Sequence, residues 1–259
     1  MLFLKISDRV SIMRLYDEDF EVYIPTYDRA GLMTTHKVLP NAIIVCPESQ
    51  EKAYRLAYPM MKIKPCPDSV EGNMAKKRNW IKDHAEKKWF IMVDDDIKYF
   101  QMIENGKQIE MDYDHVIEFF HNGFIMAEEL GTVLWGINLQ TDPKFYREYS
   151  PFSFLSVVLG PFTGHIKSPL RYDESLPTKE DYDYALQVLH KYHKILRFNK
   201  YSYMAGHINN EKGGSISIRR MEMEKEQAKI MERKWGQKVV KFDFKKDIDP
   251  KVKIPLKGI

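Results

Sequence analysis

The chain reads as an α/β protein with a central, mostly parallel sheet flanked by helices. Three observations predict it. Short apolar runs of strand length alternate with helix-length periodic segments through the first half of the chain. The run WFIMV at 89–93 is continuous rather than alternating, as a strand covered on both faces requires. The 259 residues, 44% hydrophobic and 13% aromatic, are enough for one large core.

The elements follow in order. EVYIP (21–25) is a first strand, and TYDRAGLMT after it is a loop entering a short helix. NAIIVCPES (41–49) is a second strand ended by Pro47, and PMMKIKPCP (59–67) a weaker third. A helix is predicted over 73–88, with Asn73 as N-cap and Trp80, Ile81 and His84 at helical spacing. WFIMV is the fourth strand. DHVIEFFHNGFIMAEELG (114–131) has a helical apolar pattern, an acidic start at Asp114 and a stop at Gly131. TVLWGINL (132–139) is the next strand.

The second half is less regular. FSFLSVVLGPFTGHI (152–166) suggests strands broken by Gly160, Pro161 and Gly164. SLPTKEDYDYALQVLHKYHK (175–194) is a helix with Thr178 at its start, and ILRFNKYSYMAGHI after it a strand or two leading to the loop NNEKGGS. IRRMEMEKEQAKIMERKWG (218–236) reads as a charged surface helix. No repeat or low-complexity linker divides the chain. A single domain over 1–259 is expected, with 237–259 as a basic tail on the surface.

A net charge of +3 is too small to announce a nucleic-acid binder. Cys46 and Cys66 cannot carry a disulfide-built fold, and reduced thiols suit a cytoplasmic protein. No apolar run approaches the roughly 20 residues that span a bilayer, so no membrane partner is expected. The start MLFLKISDRV is too short and too soon charged for a signal peptide.

The most informative stretch is Asp94-Asp95-Asp96, which follows WFIMV without a turn residue. On an extended chain Asp94 and Asp96 point one way and Asp95 the other. Two carboxylates about 4 Å apart repel by roughly 4 kcal/mol at an effective dielectric near 20. A divalent cation offsets that repulsion, because Mg²⁺ and Mn²⁺ prefer oxygen ligands. The carboxyl ends of strands in open α/β sheets are also where ligands bind. The competing reading is a solvated acidic turn.

Several pieces stand in an order that resembles the GT-A glycosyltransferases: the first strand running into IPTYDRA, then GNMAKKRN (72–79), DDD (94–96), KED (179–181) and a later His207. Over roughly residues 20–220 the chain is most similar to the TET-associated glycosyltransferases of phages, which glycosylate hydroxymethylated pyrimidines in DNA. The resemblance implies a GT-A-like fold and transfer from a nucleotide sugar, UDP-linked, with Mn²⁺ or Mg²⁺ as cofactor. It implies that Pro25, Thr26, Tyr27, Arg29 and Glu48 meet the base and ribose, that Arg78 and Asn79 lie beside the nucleotide, and that Asp94 and Asp95 face the donor. Asp96 and Asp94 would hold the metal, with His207 as a further ligand. Asp181 matches the general base of inverting members, with Glu180 and Asp183 as neighbours able to replace it.

The chemistry needs such residues. A cation across the diphosphate stabilises the leaving group, and a carboxylate at a helix start can take the acceptor's proton. Arg29, Arg78, Arg219 or Arg220 would add positive charge at the phosphates, and Gly213-Gly214 could serve a closing loop. Each role has a plainer rival. Thr178 and Asp181 have the spacing of a capping box; Arg78 is one more cation on its helix; Gly213-Gly214 is an ordinary turn; Tyr27 and Trp80 are core candidates; His165 and His190 have no role. Phe152, Phe154 and Phe162 would line a pocket for a flipped base or fill the core. The segment Lys234 to Lys257 would touch phosphates or simply be solvated. The alternatives in function are a small-molecule, glycan or protein acceptor, and an inactive module that binds nucleotide sugar or DNA.

Overall fold

The computed structural model describes residues 19–139, 142–206, 221–244 and 249–254. Its strands are β1 (Phe20–Pro25), β2 (Ile43–Pro47), β3 (Lys62–Cys66), β4 (Trp89–Val93), β5 (Ile97–Glu104), β6 (Lys107–Glu110), β7 (Leu134–Ile137), β8 (Phe152–Ser153), β9 (Phe162–Ile166), β10 (Leu196–Phe198), β11 (Tyr201–Ala205), β12 (Val240–Lys241) and β13 (Lys251–Val252). The helices are α1 (Thr35–Val38), α2 (Glu51–Ala57), α3 (Met74–His84), α4 (Tyr113–Glu129), α5 (Glu180–Tyr192) and α6 (Met221–Trp235).

Eight strands form the central sheet in the order β3-β2-β1-β4-β9-β7-β10-β8. Strands β1 to β4 run parallel, as do β7 and β10, while β9 and β8 run against their neighbours. The expected α/β architecture with a mostly parallel sheet is therefore present. The apolar run of β4 behaves as its composition requires: Ile91 and Val93 enter the core on one face, and Phe90 and Met92 the core on the other. On the first face Trp135 lies so close to β9 that a Cβ on Gly164 would stand 2.2 Å from its ring. Only glycine allows that approach.

β9 matters most for function. Antiparallel to β4, it pairs Phe162 with Val93, so the Gly160-Pro161 turn arrives at the edge where Asp94 departs. There the Asp94 amide donates to the Pro161 carbonyl at 3.0 Å.

Several expectations need correction. α3 stops at His84 rather than residue 88, because Ala85 turns extended and the chain must return to β4. α4 has Asp114 in its first turn as expected, and Asp112 caps it, accepting the His115 amide at 2.9 Å. The stretch 152–166 is extended only at its two ends. The β5–β6 hairpin went unread, although its turn, Asn105-Gly106 with φ of 50° and 71°, is the sequence signal for one. β5 also pairs with β11 to make a second, three-stranded sheet.

The capping box does not form. α5 starts at Glu180 without a side-chain cap, and the Thr178 hydroxyl donates to Glu224. Nor is the carboxyl-terminal segment merely a tail. β13 pairs with β12, and Val252 and Ile254 pack on the second core. α6 is charged but buries Glu224, Gln227, Ala228 and Met231. No helix among the described residues is long and apolar enough to cross a membrane.

Candidate active site

The three aspartates leave the carboxyl end of β4 between the ends of β1 and β9, and, contrary to the extended run expected, Asp95 and Asp96 form the turn that leads into β5. Asp95 turns toward β1. Its Oδ2 accepts the Thr26 hydroxyl at 2.6 Å and its Oδ1 accepts Arg29 Nη1 at 2.5 Å. The Tyr54 hydroxyl bonds Thr26 Oγ1 and accepts the Arg29 amide, each at 3.0 Å. Both Asp95 oxygens are thus engaged in bracing the loop after β1. Thr35 straps the triplet from the other side: its hydroxyl donates to the Asp94 carbonyl at 2.6 Å and accepts the Ile97 amide at 2.8 Å.

Asp94 turns the opposite way, into a buried group of charges. At its centre is Arg78, 2% exposed. The guanidinium donates from Nε to Glu180 Oε1 and from Nη2 to the Gly160 carbonyl, each at 3.1 Å, and stands 5.8 Å from the Tyr172 ring centre. Asp181, half-buried at the start of α5, accepts the Gly160 amide at 3.0 Å on Oδ2 and the Tyr182 amide at 2.8 Å on Oδ1. The Gly160-Pro161 turn thereby joins Arg78, Asp181 and the backbone of Asp94. A Cβ on Gly160 would lie 3.0 Å from Arg78 Nη2 and 3.1 Å from Asp181 Oδ2.

Three carboxyl groups, those of Asp94, Glu180 and Asp181, crowd around this one guanidinium. Burial pushes the Asp94 carboxyl up to about 7, with Arg78 opposing and Asp95, Asp96 and Asp181 adding. Burial likewise pushes Glu180 up to about 8, with Asp181 adding and Arg78 opposing. Tyr203 of β11 is also held above the usual phenol range, by burial and then by Asp94 and Asp96. A divalent cation could take the place of a proton among such crowded carboxyl groups. Among the described residues no three His, Cys, Asp or Glu side chains gather as metal ligands; Asp94 and Asp96 are the carboxylates that could hold a cation here. The Gly206 amide donates to the Asp96 carbonyl at 2.6 Å, tying the chain just after β11 to the triplet.

Other expected residues fall in varied places. Pro25 is buried at the end of β1, while Glu48 is exposed after β2. Tyr27 is 40% exposed at the same edge, so it is not a core residue. Asn79 is turned away to hold the Tyr172 backbone, donating to its carbonyl and accepting its amide, each at 2.9 Å. Asp183 is no alternative base. It is fully buried and accepts Lys234 Nζ at 2.9 Å, Trp235 Nε1 at 2.8 Å and Gln187 Nε2 at 2.7 Å. Glu180 is sealed against Arg78 and has no path to an acceptor proton. The three phenylalanines form no common pocket: Phe162 is in the core against Phe100, Phe120 and Trp135, and Phe154 is exposed. His165 is a buried core residue stacked on Phe90, held neutral chiefly by burial. His207, Gly213, Gly214, Arg219 and Arg220 lie outside the described residues. Gly160 and Tyr203 carry no signal in the sequence that marks them as site residues; a Gly-Pro pair by itself indicates only a break in a strand.

The family model for TET-associated glycosyltransferases matches residues 20–214, three quarters of the chain. The chain belongs to this family. It is a glycosyltransferase of the nucleotide-sugar type, and the match takes in β1, the triplet, Arg78 and the start of α5. No curated relative matches the glycosyltransferase. Similar solved structures include residues 1-349 of Staphylococcus aureus TarS in complex with UDP, 13% identical, covering 85% of this chain and 73% of that one, with a TM-score of 0.47. The Pyrobaculum calidifontis mannosyltransferase PcManGT in complex with GDP-Man and Mn²⁺ is 10% identical over 74% of this chain and 62% of that one, with a TM-score of 0.49. The Mycobacterium tuberculosis glucosyl-3-phosphoglycerate synthase with Mn²⁺, UDP and glucosyl-3-phosphoglycerate is 8% identical over 81% and 79%, with a TM-score of 0.44.

Proposed function

We propose that this glycosyltransferase moves a sugar from a UDP-linked donor to the hydroxyl of a hydroxymethylated pyrimidine in DNA, with a divalent cation, Mn²⁺ or Mg²⁺, at Asp94 and Asp96. The observation that carries the reading is the convergence of Asp94, Asp181 and Arg78 on one turn at the carboxyl end of β4. The cation supplies charge stabilisation for the departing diphosphate. Asp181, fixed by two backbone amides, keeps lone pairs free to accept the acceptor's proton. Arg78 sets the field around both carboxylates and, being buried, acts through them. Thr26, Tyr27 and Arg29, in the loop after β1, and Glu48, just after β2, form the donor side. His207 completes the metal shell in this reading. The acceptor follows from the family resemblance, and a base within a duplex must be unpaired at a cost of a few kcal/mol.

The test incubates the protein with Mn²⁺, a panel of nucleotide sugars and DNA containing 5-hydroxymethylcytosine, and weighs the digested nucleosides by mass spectrometry. A hexose or pentose increment that disappears in Asp96→Asn, with thermal stability kept, is the expected result. A DNA acceptor also predicts that activity falls steeply with salt. Release of free UDP without any nucleoside increment would overturn the DNA acceptor and leave a transferase with another substrate.

A further inference from the structure

The family match ends at residue 214, ahead of α6. Yet α6 places buried polar side chains against the residues that lead into Asp181. The Thr178 amide donates to Gln227 Oε1 at 3.0 Å, Gln227 Nε2 donates back to Thr178 Oγ1 at 2.9 Å, and the Thr178 hydroxyl donates to Glu224 Oε1 at 3.0 Å. The next residue, Lys179, is fully buried and pairs with Glu224 at 3.0 Å and with Asp249 at 2.6 Å. Just upstream, the Pro177 carbonyl accepts the Met74 amide at 3.3 Å, tying this turn to α3, which carries Arg78.

These bonds do not cap α5, whose first turn has no side-chain cap. They act one step earlier, on the backbone that decides where α5 begins and how its first turn is rotated. Asp181 lies in that turn, and its carboxylate must meet the Gly160 amide at 3.0 Å. Apolar packing would anchor a helix as firmly as a buried ion pair does, and often more so. What directional bonds add is a single orientation.

We propose that Glu224 and Gln227 of α6 are positioning residues for the transfer reaction. Through Thr178 and Lys179 they hold the start of α5 so that Asp181 meets Gly160 and faces the acceptor hydroxyl. This rests on Asp181 being the base. It extends the catalytic unit beyond residue 214, into a helix that touches none of the reacting atoms.

The experiment uses the full chain. Thr178→Val keeps the side-chain shape and removes the hydroxyl that joins Glu224 and Gln227, Thr178→Ser keeps the hydroxyl, and Gln227→Met removes both bonds from the other side. Each is compared with the wild type and with Asp181→Asn for kcat, donor KM and melting temperature, in Mn²⁺ with the donor selected above and 5-hydroxymethylcytosine DNA. Thr178→Val and Gln227→Met should lower kcat about tenfold or more, since small displacements of reacting groups cost up to about 10² in rate. Donor KM should stay within about twofold, and Thr178→Ser should restore kcat. If Thr178→Val does not fold, Gln227→Met carries the same test. Variants that melt earlier but keep full kcat while Asp181→Asn is inactive would overturn the positioning role alone. An active Asp181→Asn, or a wild type silent with every donor, would remove the base assignment and this proposal with it.

Discussion

Gly160→Ala is a severe small perturbation of the site, because its consequences can be worked from two distances. The new methyl carbon would stand 3.0 Å from Arg78 Nη2 and 3.1 Å from Asp181 Oδ2. Carbon meets such atoms comfortably nearer 3.5 Å, so about half an ångström must be found. Arg78 cannot yield freely, being held by Glu180 and by the Gly160 carbonyl itself. The displacement therefore falls largely on Asp181, whose Oδ2 accepts the Gly160 amide. Losing that charge-assisted bond costs roughly 1.5–3 kcal/mol if none of it is recovered. Spent in the transition state, this is about a 10- to 100-fold loss in kcat. Donor KM should barely move, because the donor-side residues that follow β1 and β2 are untouched. The assay is initial-rate UDP release with acceptor saturating, beside a thermal melt to count folded protein. A Gly160→Ala enzyme with wild-type kcat and donor KM would refute the idea that this turn positions the base.

Two further outcomes are expected. Asp183→Asn should lower stability by about 2 kcal/mol, because a buried acceptor for Lys234, Trp235 and Gln187 loses its charge. Its kcat per folded molecule should stay at the wild-type value, and a collapse of kcat in fully folded protein would restore Asp183 as a base. Glu180 bears on pH. Its carboxyl is raised to about 8 in the fold, so the folded state keeps a proton that the unfolded chain releases near pH 4.5. Its stabilising contribution is therefore full at low pH and is lost as pH rises through about 8. Chemical denaturation in metal-free buffer should show stability falling over that window. Glu180→Gln should flatten the fall, and parallel curves for the two proteins would refute the assignment.

Much of the fold was legible because its signals are local. WFIMV gave β4 to the residue, since an apolar run ended by charge at both sides leaves little freedom in register. The direction of Asp95 was not legible from strand geometry, because Asp95 and Asp96 lie in a turn; Thr26 and Arg29, about 70 residues away, fix it toward β1. The β5–β6 hairpin was missed although Asn105-Gly106 announced it, because β6 is exposed on both faces and lacks the alternation that marks a half-buried strand.

The site was legible in its residue types and less so in its partnerships. Glu180, Asp181 and Asp183 look interchangeable in sequence, three carboxylates within four residues. The helix separates them by about 100° per residue, sending Glu180 to Arg78, Asp181 to Gly160 and Asp183 to Lys234 and Trp235. Which carboxylate is left for chemistry is decided mainly by the distant partners Arg78, Gly160, Lys234 and Trp235, which no spacing within α5 encodes. The same holds for Thr178, whose distance from Asp181 fits a capping box but whose hydroxyl is claimed by Glu224. A buried polar partner offers more than a local cap does, because it removes a desolvated donor and an unpaired charge together. Where a tertiary acceptor is within reach the local motif yields, so motif spacing in this chain identifies the participants in a site while the buried network assigns their roles.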